Sequence, residues 1–289
     1  MAGIFWLASY PKSGNTWMRL FLSNLKGVRE TPVDINSNHD RGIASARAWL
    51  DHLLAFDTFD LTQAEIDAVR PDCHAWASAE AAHTDFHKIH DANVGVDAGT
   101  PLIRADACRG VVYILRNPLD VAASAAHHWG DSLDEAIARM NRPDAVLLGS
   151  ANPASATVRA QVRQRILDWS SHVLSWVDAP ALPIHVVRYE DLLADPLTHF
   201  GAVARFLQLP DDDAALQRAI EATRFDELSR QEQAAGFRER SPRAERFFRK
   251  GRAGGWRDEL DGAQVQRLVD AHGPVMRRFG YLDGSGQPV

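Results

Sequence analysis

Ile4-Phe5-Trp6-Leu7-Ala8-Ser9-Tyr10-Pro11-Lys12-Ser13-Gly14-Asn15-Thr16-Trp17 is the stretch from which the rest of this chain is read. The bulky run from Ile4 to Tyr10 predicts a buried strand. Pro11 and Gly14 then force a tight turn. Beyond it, Trp17, Leu20, Phe21 and Leu25 recur at helical spacing, and the first backbone N–H groups of such a helix have no acceptor within it. Strand, turn and helix N-terminus together make a cradle for an anion.

The nucleoside-triphosphate P-loop pattern, Gly-x-x-x-x-Gly-Lys-Ser/Thr, can be laid over Ser9 to Thr16 and fails twice: Ser9 replaces the first Gly and Asn15 replaces the Lys. Lys12 instead sits earlier, inside the loop. A strand followed by Pro-Lys-Ser-Gly-x-Thr-Trp resembles the 5′-phosphosulfate loop of the sulfotransferases that use 3′-phosphoadenosine 5′-phosphosulfate (PAPS). The resemblance implies that Lys12 contacts the oxygen bridging phosphate and sulfuryl group. It also implies that Thr16 and the loop amides from Ser13 through Gly14 and Asn15 hold the 5′-phosphate, and that Trp17 lies against the adenine. Asn15 departs from the Thr often found there. The plain alternative is a generic strand-to-helix turn with a surface lysine.

Length and composition set the frame. With 289 residues, 45% of them hydrophobic, and no proline- or serine-rich linker, the expectation is one α/β domain over 1–289. A net charge of −6 argues against broad nucleic-acid binding, yet Arg238–Arg257 holds eight basic residues against Glu239 and Glu245, which reads as a local anion site. Cys73 and Cys108 form no metal-type spacing and suggest a reduced compartment. The N-terminal apolar run is too short for a signal sequence or anchor, so a cytoplasmic protein without membrane contact is expected.

Along the chain, Ile43–Phe56 has helical spacing. Thr62-Gln63-Ala64-Glu65 has the form of a capping box, and the helix it opens is expected to end at Val69, before Pro71. Phe86–Asp91 alternates as a short strand with Phe86, Lys88 and His90 on one side. It resembles the family's Lys-x-His element, in which the His takes the proton of the acceptor hydroxyl and the Lys lies beside the transferring group. An imidazole is suited to that task because its ordinary pKa lies near neutrality. His83, His87, His127 and His128 are rivals for the role.

Gly110–Leu115 reads as a central parallel strand. It ends in Arg116-Asn117-Pro118, where Pro118 suits a helix start, and Arg116 falls at the strand's carboxyl edge. An Arg after a strand and a Ser eight residues later resemble the family's 3′-phosphate motif, which makes Arg116 and Ser124 ligands of that phosphate. Ser124 is also counted with Lys12, Lys88 and His90 as a catalytic candidate. Thr157–Val177 reads as a long amphipathic helix, Pro183–Tyr189 as a buried strand, and Asp195-Pro196 as the start of a helix through Phe206. Tyr189-Glu190-Asp191 resembles the family's element in which the Tyr touches the adenosine, while Glu190 and Asp191 brace backbone. By resemblance, Thr223 and Phe225 neighbour the adenine. Arg249-Lys250-Gly251, followed by Gly254 and Trp256, matches Arg-Lys-Gly-x-x-Gly-x-Trp, a second countercharge for the 3′-phosphate. The final helix, Gln264–Phe279, is expected to lie across the sheet, and the chain from Gly284 onward to fray.

Four motifs in family order imply a PAPS-dependent sulfotransferase with a P-loop-like α/β three-layer sandwich and a central parallel sheet. They imply in-line transfer of a sulfuryl group to a hydroxyl of a small-molecule acceptor, adenosine 3′,5′-bisphosphate as product, and no metal. The alternatives are a small-molecule kinase with a degenerate P-loop and a non-catalytic nucleotide-binding protein. The acceptor is not legible, and the oligomeric state, a homodimer included, is left open.

Overall fold

Every residue from Gly3 to Ala8 is buried, and this stretch forms β1 of the computed structural model, which describes residues 2–27, 31–37, 42–95, 100–147 and 160–289. β1 is flanked in parallel by β2 (Thr84–Ile89) and β3 (Gly110–Leu115), and β6 (Ile184–Arg188) follows β3, giving the order β2-β1-β3-β6. β3 is buried throughout, as an inner parallel strand must be. In β2 the predicted alternation holds: His87 and Ile89 are buried, whereas Phe86 and Lys88 are half-buried. Val146–Leu147 (β4) and Gln164–Arg165 (β5) form a separate antiparallel pair.

The chain divides into two compact units of interleaved segments: residues 1–10, 40–113 and 142–186 make the first, and 11–39, 114–141 and 187–289 the second. The first contains β1, β2 and helices α2 (Arg47–Leu54) and α3 (Gln63–Ala79), with Leu50, Ile66, Cys73 and Val162 forming a core cluster. The second contains α1 (Asn15–Lys26), α4 (Pro118–Trp129) and α5 (Leu133–Met140), and a core cluster of Leu20, Ile35, Leu228, Phe237 and Phe248. The chain passes between the units directly after Tyr10, Tyr113 and Val186, at or near the carboxyl ends of β1, β3 and β6.

Several expectations need correction. The Thr62 capping box is present, but α3 continues through Pro71 to Ala79. An interior proline costs a helix about 3 kcal/mol; burial of Arg70, Cys73 and His74, with a bidentate Arg70–Asp91 pair at 2.9 and 2.8 Å, outweighs that local preference. The long helix expected from Thr157 to Val177 is interrupted in its described part: Gln164–Arg165 is β5, and α6 (Trp169–Val177) begins after Asp168, whose carboxylate caps it. Leu167, in a left-handed conformation at φ 54°, breaks any continuous helix, and the expected start at Thr157 lies outside the described residues. The last helix (Gly262–Arg278) packs on α4 and α5. The tail is tied down: Val289 N–H donates to the Tyr281 carbonyl at 3.1 Å, and Asp283 N–H to that of Gln287 at 2.9 Å.

Candidate functional site

In the second unit, the turn after Pro11 is built on two left-handed residues, Lys12 at φ 70° and Gly14 at φ 103°. Gly14 is the N-cap of α1, where a Cβ would stand 2.7 Å from the Tyr189 ring, so both its conformation and its neighbour require glycine. Lys12 has no such exemption. Its carbonyl accepts a hydrogen bond from Arg116 Nη1 at 3.0 Å, and Arg116 is itself held with its guanidinium 4.2 Å from the Tyr189 ring centroid. The strand-end arginine therefore fixes the loop lysine's backbone, a link the sequence did not reveal. The Lys12 ammonium rests 4.1 Å from the Phe247 ring centroid.

Two donors here, Ser13 Oγ and Arg116 Nε, are buried without an acceptor among the described residues. Such groups are costly unless something outside the chain satisfies them, and an anionic ligand at this loop is a fitting acceptor. Asn15 and Thr16 begin α1, whose N-cap makes no side-chain hydrogen bond. Thr16 Oγ1 donates to Glu239 Oε2 at 3.0 Å, and Arg19 Nη2 holds both oxygens of the same carboxylate at 2.7 and 2.8 Å. Trp17 is half-buried, edge-on to Tyr189 at 5.5 Å and to Phe200 at 5.1 Å.

Arg116 leads into Asn117, whose side chain caps α4 and whose N–H donates to Glu190 at 2.9 Å. Glu190, with Tyr281 donating to its other oxygen at 2.9 Å, braces backbone as expected. Burial raises its pKa, against the opposing pull of these hydrogen bonds. Ser124 lies within α4, half-buried. Asp120, on the same helix, accepts from Gly254 N at 2.8 Å and Trp256 N at 2.9 Å. Two later amides of the glycine-rich segment are thus taken by Asp120, which fastens the basic loop to α4. Arg249 and Lys250 share Glu259, at 2.5 and 2.9 Å for the arginine and 2.7 Å for the lysine. Burial pushes the Glu259 pKa up, but these cations outweigh it and hold the carboxyl below its usual range.

Gly251, at φ 58°, lies under Phe225: a Cβ there would come within 2.1 Å of the ring, so the basic loop and the Phe225 segment are in contact. Thr223 is different. Its hydroxyl donates to Ala219 and Ile220 carbonyls at 2.9 and 3.2 Å, inside its own helix (Asp213–Ala222), and the residue is buried. Its side chain is thus used structurally.

In the first unit, Lys88 is fixed in β2, its N–H donating to the Gly42 carbonyl at 3.0 Å. His90 follows the strand's end. Its Nδ1 lies 2.8 Å from the Ser9 carbonyl, and because a carbonyl only accepts, Nδ1 carries the proton and Nε2 is the basic nitrogen of the neutral ring. The rivals are otherwise engaged. His87 is buried against Trp6 and Trp49, His83 faces Asp85 at 3.5 Å, His127 contacts the Arg246 carbonyl at 3.0 Å, and His128 lies edge-on to Phe247 at 6.0 Å. Asp91, buried, is consumed by Arg70.

The profile described as "Sulfotransferase domain" matches residues 4–280. The chain belongs to the sulfotransferase family. "Cytosolic sulfotransferase 15" of Arabidopsis thaliana is 28% identical over 273 residues, covering 91% of this chain and 68% of the relative. "Cytosolic sulfotransferase 9" of the same plant is 22% identical over 278 residues, covering 91% and 75%. Among solved structures, mouse sulfotransferase SULT7A1 complexed with PAP has a TM-score of 0.55 at 16% identity, covering 98% of this chain and 87% of that one. Retinol dehydratase in a complex with retinol and PAP has a TM-score of 0.60 at 18% identity, covering 95% and 81%. These likenesses bear out the P-loop-like α/β fold with its parallel sheet. As a sulfotransferase the chain is an enzyme of sulfuryl transfer, and neither the kinase nor the non-catalytic alternative is favoured. Among the described residues no helix is long and apolar enough to cross a membrane, and no group of three or more His, Cys, Asp or Glu could hold a metal ion.

Proposed function

We propose that this sulfotransferase takes its sulfuryl group from PAPS and passes it to a hydroxyl of a small-molecule acceptor, releasing adenosine 3′,5′-bisphosphate. The observation that carries the reading is the Lys12 turn, pinned by Arg116 and lined by two buried donors that no group among the described residues satisfies. Structures of similar fold described as bound to PAP, androsterone or retinol support a nucleotide donor and a small acceptor. The donor supplies an activated sulfuryl group on a phosphate leaving group.

The chain's own residues then divide the work. Ser13, Thr16 and the amides of Gly14 and Asn15 bind the 5′-phosphate, and the positive end of α1 favours its charge. Lys12 leaves the Phe247 ring to stabilise negative charge on the departing oxygen. Arg116, Ser124, Arg249, Lys250 and the Gly251 amide receive the 3′-phosphate, which takes over from Glu259 as partner of the two cations. Trp17, Tyr189 and Phe225 flank the adenosine; Thr223 enters only as a structural residue. His90 Nε2 accepts the acceptor's hydroxyl proton as the new S–O bond forms, and Lys88 lies beside the transferring group. A single domain over 1–289 belongs to this reading, supported by a family match that spans both units. A cytoplasmic location is supported by relatives named cytosolic.

The test is to titrate the protein with adenosine 3′,5′-bisphosphate, and to incubate it with PAPS and a library of phenols, alcohols, sugars and tyrosine peptides. A mass gain of one sulfuryl group in a phenol or alcohol is expected. No measurable bisphosphate binding would reject the assignment of the donor residues.

A further inference from the structure

His90 is the first residue after β2. Its main-chain carbonyl is met by a side chain: His172 Nε2, from α6, at 3.1 Å. The other nitrogen of that ring, Nδ1, is 2.8 Å from the Tyr113 hydroxyl. Tyr113 comes from β3, and its oxygen also takes a backbone hydrogen bond from Tyr10, which follows β1. All these groups are in the first unit, and Tyr113 and His172 are fully buried.

The proton order in this chain is fixed by its ends. The His90 carbonyl can only accept, so His172 Nε2 carries hydrogen; Nδ1 is then an acceptor, and the Tyr113 hydroxyl donates to it. The Tyr113 oxygen is left to accept from the Tyr10 amide. Burial pushes the His172 pKa from 6.5 to about 3, so the ring stays neutral and does not change this order near neutral pH. Together with the His90 ring bond to Ser9 at 2.8 Å, the relay clamps residue 90 from two sides: through its ring to Ser9 and through its backbone, by way of His172 and Tyr113, to Tyr10.

We propose that Tyr113 and His172 are positioning residues for His90, holding its backbone so that the ring keeps Nδ1 on Ser9 and presents Nε2 as the base. The Tyr113 hydroxyl selects the His172 tautomer that can donate to the His90 carbonyl. Without it, His172 is free to carry its proton on Nδ1, and two lone pairs then face each other across the 3.1 Å gap. This rests on His90 being the base.

The experiment measures kcat and KM for PAPS with a phenol or alcohol that gains mass in the acceptor screen, bisphosphate affinity by calorimetry, and the downfield imidazole N–H resonance of His90. Tyr113→Phe is expected to lower kcat about fivefold, the scale of one hydrogen bond, and to shift the His90 resonance, with KM for PAPS and bisphosphate affinity unchanged. His172→Gln keeps an N–H donor that no longer depends on a tautomer. It should retain more activity than His172→Leu, and adding Tyr113→Phe to it should cost nothing further. A wild-type kcat for Tyr113→Phe, equal losses in the Gln and Leu variants, or a parallel loss of bisphosphate affinity would overturn the proposal. If His172→Leu fails to fold, Tyr113→Phe and His172→Gln still decide. A fully active His90→Ala would sink the base assignment itself, whereas an inert His90→Ala beside an unaffected Tyr113→Phe would sink only the relay.

Discussion

The two compact units treat their polar groups differently. In the first, the groups around His90 are paired permanently: Arg70 with Asp91, Tyr113 with His172, and the His90 ring with Ser9. In the second, backbone is fixed by Arg116, Glu190 and Asp120, but the candidate phosphate ligands are paired with carboxylates: Thr16 shares Glu239 with Arg19, and Arg249 and Lys250 hold Glu259. A base must be aimed before the substrate arrives, because misaim costs rate directly. On the proposed reading, groups that bind a multiply charged nucleotide need only a frame, because the ligand would take the place of these carboxylates.

The sharpest way to break this contrast is His90→Ala. It should lower transfer by roughly 10² to 10⁴ while bisphosphate affinity, measured by calorimetry, stays at the wild-type value. A matching loss of affinity would mean that the first unit's residues are not confined to the chemical step. Lys12→Ala should cost about 2.7 to 4 kcal/mol in the barrier, read from kcat, by analogy with loss of one oxyanion donor. Unchanged turnover would remove Lys12 from the reaction.

Acid stability sharpens the contrast at a smaller scale. Burial holds the folded-state pKa of His172 at about 3, and that of His74 well below 6.5. Depressed histidines bind protons in the unfolded chain first, so stability should be full above the unfolded pKa of about 6.5 and fall as pH drops below it, by up to about 1.4 kcal/mol per pH unit for each group. Urea midpoints between pH 7 and 5 measure this. His172→Gln should flatten the slope, and an unchanged slope would contradict the neutral buried ring. The smallest effect is predicted for Glu239→Gln, which weakens an internal competitor for the donor loop and should tighten bisphosphate binding about threefold, within the usual range for an exchanged charged hydrogen bond. Weaker binding would instead make Glu239 part of the frame.

Much of this was legible in the sequence. β3, with its helix opening at Pro118, was read with its boundaries because continuous β-branched burial and an N1 proline are local signals. The Lys12 loop was read because its residues are contiguous. Long-range pairing was not: Glu239 is more than 200 residues from Thr16, and Asp120 more than 130 from Gly254. An Asp in a helix's first turn suggests only a favourable dipole contact, and a His between apolar residues suggests only core. The expected stop at Pro71 and the expected helix through Gln164–Leu167 fail for one reason, a local pattern overridden by tertiary context. The acceptor was not legible because specificity sits in loops, here within 28–85 and near 139–156, for which the sequence gives composition and no geometry, and parts of both fall outside the described residues.

Lys12 sits at φ 70°, in a conformation that glycine adopts freely and a lysine at a cost of roughly 1 kcal/mol or more. Lys12→Gly should therefore give a protein that melts at a higher temperature while losing its chemistry. On the proposed reading, the strained angle is what it costs to place an ammonium inside this turn, and a glycine there would separate the stability of the fold from its turnover.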